Sequence, residues 1–145
     1  MRLIVQRVVK ASVVVKNDEI SKINKGMLVL IGITHSDTKE IADYLAEKLI
    51  NLRIFEDKDQ KLNLSLKNVS GELLLVSNFT LYAECSKGTR PSFKNAAEAE
   101  FAKNLYSYFV TRCKEYVSVV EEGSFGSYMH VSLVNDGPLT VVMEK

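Results

Sequence analysis

The chain lacks tryptophan and holds only two prolines, two cysteines and two histidines. Cys85 and Cys113 do not have the spacing of a metal site, and with no leader in view they read as free cytosolic thiols. Met1 runs directly into Arg2 and a strand-like pattern, without an apolar region before a cleavage site. No apolar run approaches the ~20 residues of a membrane span. A cytoplasmic protein without a membrane segment is therefore expected. His35 and His130 belong to no nucleophile motif and do not pair at metal spacing. There is no G-x-S-x-G elbow and no Walker loop. The acidic residues are scattered over helix surfaces and turns, so no metal site is expected. Net charge is only +1. That argues against wrapping long nucleic acid, which takes many phosphate contacts. A few local cations can still grip one RNA end.

What is present is an ordinary globular composition, 46% hydrophobic and 26% charged over 145 residues. It suits one domain spanning residues 1–145 with a self-sufficient core. Leu3 to Val9 and Ser12 to Val15 are rich in β-branched residues and read as two strands. Asn17-Asp18 is a turn, and Glu19 to Ile23 returns as an edge strand. Met27 to Ile33 is almost unbroken in apolar residues, as in a central strand covered on both faces. The period then changes. Ser36 or Asp37 caps a helix, with Glu40 completing a capping box behind Asp37. Ile41, Tyr44, Leu45, Leu49 and Leu52 follow helical spacing to about Asn51. Leu62, Leu64 and Leu66 alternate like a half-buried strand, and Leu73 to Val76 reads as a buried one. A second helix fits Asn95 to Lys114, followed by a strand from Val117 to Glu121. Two final strands flank Gly137-Pro138. The expected fold is an α/β (α+β) single domain: a mostly antiparallel sheet or barrel with two main helices packed on it.

Three segments stand out for chemistry. Ser77-Asn78-Phe79-Thr80 places two hydroxyls and a carboxamide at the end of a buried strand, where sites are usually built. A hydroxyl attacks an ester only if something takes its proton, and no base is in view. Either the segment satisfies its own backbone, or its N–H groups hold an oxyanion. Lys87, Arg90 and Lys94 lie in one Gly- and Pro-containing loop, which is either simply solvated or grips phosphates. Gly137-Pro138 is either a turn or a rigid pair of carbonyls aimed into a pocket. A cis X-Pro bond lies only about 0.5–1 kcal/mol above trans, and glycine reaches angles closed to other residues.

Taken together, the chain resembles the bacterial D-aminoacyl-tRNA deacylases, also called D-tyrosyl-tRNA deacylases. The resemblance rests on Gln6-Arg7-Val8, Ala11-Ser12-Val13, Arg53-Ile54-Phe55 and Leu62-Asn63-Leu64. It continues through Ser77-Asn78-Phe79-Thr80-Leu81, Arg90-Pro91-Ser92-Phe93 and Val131 to Pro138. These pieces occur in the family's order and span nearly the whole chain. The resemblance implies a homodimer, without metal or cofactor, that hydrolyses the ester joining a D-amino acid or glycine to the 3′ end of tRNA. It implies that Gly137-Pro138 is cis and crosses into the partner's active site. There its carbonyls would receive the substrate's α-ammonium and clash with an L side chain, so that L-aminoacyl-tRNA is rejected by a steric block.

Ser77, Asn78, Phe79 and Thr80 match the family's Ser-Gln-x-Thr signature, with asparagine where glutamine is usual. The shorter arm shifts the expected contact from the Asn78 side chain to its main-chain N–H. On this basis Thr80 positions the substrate, and N–H groups near Asn78 and Phe79 form the oxyanion hole. The 2′-hydroxyl of the terminal adenosine helps activate water. Arg7 is expected to brace the Gly-Pro loop, and Phe79 to wall the adenine or join the core. Lys87, Arg90 and Lys94 are expected to contact the tRNA backbone. Two other readings stay open: a non-enzymatic nucleic-acid-binding module on the same fold, and a generic esterase with a threonine nucleophile, indifferent to chirality.

Overall fold

One long strand organises the chain. The computed structural model describes the backbone of residues 1–145 and every side chain except that of Glu19. The two β-branched runs near the start form a single strand, β1 (Arg2–Val15). β2 (Asp18–Ile23) returns from it through Lys16 and Asn17, whose φ values of 50° and 72° are those of a two-residue hairpin turn. β3 (Gly26–Gly32) pairs with β1 over Arg2 to Val8, while β2 takes the same edge over Ala11 to Val15. The other edge of β1 is covered by β8 (His130–Glu144).

β3 continues through α1 (Lys39–Ile50) and a small hairpin of β4 (Phe55–Glu56) and β5 (Leu62–Leu64) to β6 (Glu72–Ser77). A short 3₁₀ turn (Phe79–Tyr82) and α2 (Ala99–Lys114) then lead to β7 (Val120–Glu122). β3–β6 and β6–β7 are parallel, and the other pairings are antiparallel. The parallel part follows from the helices, since parallel neighbours need a long crossover and α1 and α2 supply it. The mostly antiparallel sheet with two packed helices is thus the observed architecture.

Both helices cover one face of the sheet. Leu45, Leu49 and Ile50 of α1 and Leu105, Tyr106 and Phe109 of α2 pack there on Leu3, Val5, Val29 and Leu75. Each such aliphatic side chain contributes about 1.5–3 kcal/mol when fully buried. A second, smaller cluster on the other face holds Val8, Ala11, Val13, Leu28, Leu74 and Val76. β1 serves both clusters: Leu3 and Val5 face the helices and Val8 the opposite side, and the phase changes between Val8 and Ala11, where the register with β8 also shifts, so that Ala11 and Val13 join Val8.

Two boundaries differ from expectation. The cap of α1 is Thr38, whose Oγ1 accepts from the N–H of Ile41 at 3.4 Å. Asp37 is instead buried, where its carboxylate pairs with the Met1 α-ammonium and accepts from the N–H of Thr34 at 2.8 Å. α2 begins at Ala99 rather than Asn95, because the preceding residues pair with the end of β3: Ala97 N–H donates to Ile33 O at 2.9 Å. Among the described residues, no helix is long and apolar enough to cross a membrane.

Candidate active site

β6 ends at Ser77, opposite Ile31 of β3. The ladder runs one residue further, with the N–H of Asn78 donating to Ile31 O at 2.8 Å. The chain then tightens into the 3₁₀ turn. The Asn78 carboxamide oxygen caps that turn, accepting from Thr80 N–H at 3.2 Å and from Thr80 Oγ1 at 2.5 Å. A short Asn arm is suited to this grip on the backbone two residues ahead.

The main-chain N–H of Asn78, the expected oxyanion donor, is thus bonded within the sheet, and its side chain is bonded within the turn. Thr80 N–H is also occupied. Phe79 N–H, at the head of the turn, is the kind of donor that a helix start leaves without an intrahelical partner. The Thr80 hydroxyl donates to an amide oxygen, which cannot take its proton as a base does. The remaining lone pairs of Oγ1 are left for a substrate.

This turn borders a cleft of about 870 Å³. Its floor is Leu28, Leu30 and Val76 from the sheet, and its far walls are the start of α2 and the segment Phe125 to Met129. Phe79 is 57% exposed and meets Phe93 edge-on, with ring centroids 5.1 Å apart. An exposed aromatic pair at a cleft mouth has a face on which a flat ring can stack. Phe79 is accordingly not a core residue.

The Gly-Pro step is an excursion from β8. Gln6 pairs with Thr140 and Val8 with Asn135, so the single residue Arg7 faces Asp136, Gly137, Pro138 and Leu139. Two side chains hold the base of this loop. Asn135 closes it, with Oδ1 accepting from Leu139 N–H at 2.6 Å and Nδ2 donating to Leu139 O at 3.2 Å. Arg7, only 5% exposed, donates to Asp136 O at 2.9 Å and to Ile54 O at 2.8 Å. It also pairs with the carboxylates of Asp136 (3.2 Å) and Glu56 (3.5 Å). Arg7 thus braces the loop, and it is not a surface arginine. The Gly137–Pro138 bond is cis, and Gly137 has φ +144°. A Cβ there would lie 2.6 Å from the Leu139 nitrogen. Both loop residues are exposed and neither lines the cleft of its own chain.

Lys87, Arg90 and Lys94 are exposed. Reciprocal hydrogen bonds of 2.7 and 3.0 Å between Glu84 and Ser92 close the loop carrying the first two. Lys94 follows Phe93, so the cationic segment runs to the mouth of the cleft. His35 is exposed with Nε2 2.9 Å from Lys94 O, and His130 is exposed with its ring edge-on to Tyr128. Burial pushes the Cys113 thiol up to about 12, while Cys85 is exposed. Among the described residues, no group of three His, Cys, Asp or Glu side chains is placed to hold a metal ion. Asn135, which entered the motifs only as part of the Val131 to Pro138 stretch, holds the loop, and Glu98, which no motif included, lines the cleft. For Asn135 a signal existed, an Asx residue directly before Asp-Gly-Pro.

The α+β fold recurs among solved structures. A solved structure described as a probable eukaryotic D-amino acid tRNA deacylase shares the fold, with TM-score 0.84 at 18% identity over 98% of this chain and 97% of that one. Residues 4–144 match the family described as D-Tyr-tRNA(Tyr) deacylase, and the chain belongs to that family. A protein of Thermosipho africanus (strain TCF52B) named D-aminoacyl-tRNA deacylase is 53% identical over 144 residues, 99% of this chain and 97% of that one. One of the same name from Clostridioides difficile (strain 630) is 51% identical over the same shares. A solved structure named c-Myc DNA Unwinding Element Binding Protein superposes with TM-score 0.94 at 38% identity, covering 100% of this chain and 99% of that one.

Proposed function

We propose that the protein hydrolyses the ester of D-aminoacyl-tRNA in the cytoplasm, releasing the free D-amino acid and tRNA, and thereby proofreads chirality. The observation that carries this reading is the Asn78-capped turn. It sets Phe79 N–H and Thr80 Oγ1 side by side at the edge of an apolar cleft, in a chain of the deacylase family. Water attacks the ester carbonyl carbon while the 2′-hydroxyl of the terminal adenosine helps remove its proton. Phe79 N–H donates to the oxyanion that forms. The bond to the 3′-oxygen then breaks, and that oxygen takes up a proton. Thr80 orients the substrate through its free lone pairs, and Ser77 lines the cleft beside it.

Selectivity in this reading comes from Gly137 and Pro138 of a second copy. Their exclusion from their own chain's cleft supports the crossing. So does a sheet face carrying Ile4, Gln6, Leu30 and the 62% exposed Val142, on which a homodimer can form. The carbonyls of the Gly-Pro step receive the α-ammonium. A side chain of L configuration meets rigid main chain, a D side chain points outward, and glycine passes, including glycine mischarged on alanine tRNA.

The test is direct. Purified protein is incubated with D-Tyr-tRNA and L-Tyr-tRNA, and deacylation is followed. Rapid loss of the D form alone is expected. The name of the 38% identical structure favours one second reading, a nucleic-acid-binding module on this fold. RNA binding without turnover of either ester selects that reading. Cleavage of both esters selects a generic esterase.

A further inference from the structure

Glu98 is the one formally charged side chain among the described residues lining the cleft. It sits just before α2, in the capping position, yet makes no capping hydrogen bond. Its main-chain O accepts from Ala102 N–H at 2.9 Å, but its carboxylate takes part in no hydrogen bond or ion pair among the described residues. Its attachment places it near the reacting end. Asn78 N–H bonds Ile31 O, and Ala97 N–H bonds Ile33 O, so the two segments leave neighbouring rungs of one edge of β3. Those rungs are about 7 Å apart along the strand. The turn and Glu98 therefore border the same cavity from adjoining sides. Its floor is apolar, and an apolar wall strengthens the field of an unpaired charge.

Resting on the deacylase reading, we infer that Glu98 sets a charge preference for the side chain of the D-aminoacyl group. In that reading the α-ammonium is held by the Gly-Pro carbonyls and the D side chain points toward the open rim, where Glu98 is exposed. An acidic side chain there meets like charge, and a basic one meets its counter-charge. At ~6 Å and an effective dielectric between that of water and about half of it, the interaction amounts to about threefold to tenfold in rate. The competing account makes Glu98 only a partner of the α2 dipole. That role moves thermal stability and leaves charge preference untouched.

The experiment measures kcat/KM on one tRNA body carrying D-Asn, D-Asp or D-Lys. D-Asn and D-Asp have nearly the same shape, so their ratio reports charge and cancels tRNA binding. In the unmodified protein D-Asn-tRNA is preferred. Glu98→Gln lowers the D-Asn to D-Asp ratio by about threefold to tenfold and lowers the relative rate for D-Lys. Glu98→Lys moves the D-Asn to D-Asp ratio further in the same direction. Unchanged ratios in both variants, with D-aminoacyl-tRNA still turned over, overturn the inference while leaving the deacylase reading intact. Failure of the unmodified protein to deacylate any D-aminoacyl-tRNA overturns that reading, and this inference with it.

Discussion

The carboxamide oxygen of Asn78 accepts both hydrogens that Thr80 can offer, from Oγ1 at 2.5 Å and from N–H at 3.2 Å. This pair fixes the direction of the Thr80 hydroxyl before any substrate arrives. The proton points toward an amide oxygen, a group of no useful basicity. A nucleophilic threonine needs the opposite arrangement, a base aimed at its proton. The pair thus favours a threonine that accepts hydrogen bonds from the substrate.

Thr80→Ala should accordingly keep measurable D-Tyr-tRNA deacylation, slowed by about 10- to 100-fold, as for a misplaced substrate. Loss of a true nucleophile in a hydrolase costs about 10⁶-fold. A tRNA ending in 2′-deoxyadenosine should lose hydrolysis on the unmodified protein. Single-turnover rates separate these cases. A folded, tRNA-binding Thr80→Ala protein without activity restores the nucleophile.

Arg7 and Asn135 hold the base of the Gly-Pro excursion from opposite sides, and their removal should differ in kind. Arg7→Ala leaves the buried Ile54 carbonyl without its donor and separates two ion pairs. Because Glu56 and Asp136 are about half exposed, the loss should be about 2–3 kcal/mol, below that of a fully buried pair. Arg7→Lys does not restore it, since one ammonium cannot span Ile54 O and Asp136 O as the guanidinium fork does. Asn135→Ala should cost about 1 kcal/mol but loosen the loop, raising the L-Tyr to D-Tyr rate ratio. Urea midpoints and paired D and L assays check both. Unchanged discrimination in folded Asn135→Ala removes the loop from chirality control.

How far the sequence reached is visible in particular residues. The apolar periods of Met27 to Ile33, Leu45 to Leu49 and Leu105 to Phe109 were sufficient to place the central strand and both helices, because burial on one face enforces period. Asp37 looked like a cap because its neighbours allow one. Its partner is Met1, 36 residues away, which no local pattern announces. The continuity of β1 past Val9 and Lys10 depends on β8, and the late start of α2 on Ile33. Arg7 as a brace followed from family resemblance, with the burial added by the structure. Glu98 lies in a run of ordinary helix-surface residues, and only the assembled cleft sets it apart.

Stability should fall at alkaline pH through groups that the fold keeps protonated. Burial pushes the Cys113 thiol to about 12 from 9.0. Burial, then the nearby Asp37 and Glu144 carboxylates, pushes the Tyr82 phenol to about 12 from 10.0. The Tyr106 phenol, bonded to Leu75 O at 2.9 Å, is raised for the same first reason, burial. Folded-state values above the unfolded ones mean that the stabilisation is complete below about pH 9. Above that the unfolded chain loses protons first, and stability declines until the folded groups titrate near pH 12. Urea midpoints measured from pH 8 to 12 should show this decline, and Cys113→Ala should flatten it by about one proton. A midpoint independent of pH over that range contradicts the assignment.

Lys87 and Arg90 lie in a loop closed at Glu84 and Ser92, and Lys94 follows Phe93 at the aromatic mouth of the cleft. In the deacylase reading they meet the phosphates of the tRNA end and none of them meets the amino acid. Each phosphate contact contributes about 0.7–0.9 to the slope of log affinity against log salt. Replacing any one by alanine should lower that slope by about this amount. It should also weaken binding equally for tRNA carrying D-Tyr, glycine or no amino acid. Filter binding across 50–300 mM salt, roughly the range over which such contacts are screened, measures the slope. A loss confined to one amino acid would place the residue in the aminoacyl pocket. An unchanged slope for all three replacements would leave this loop outside the RNA contact.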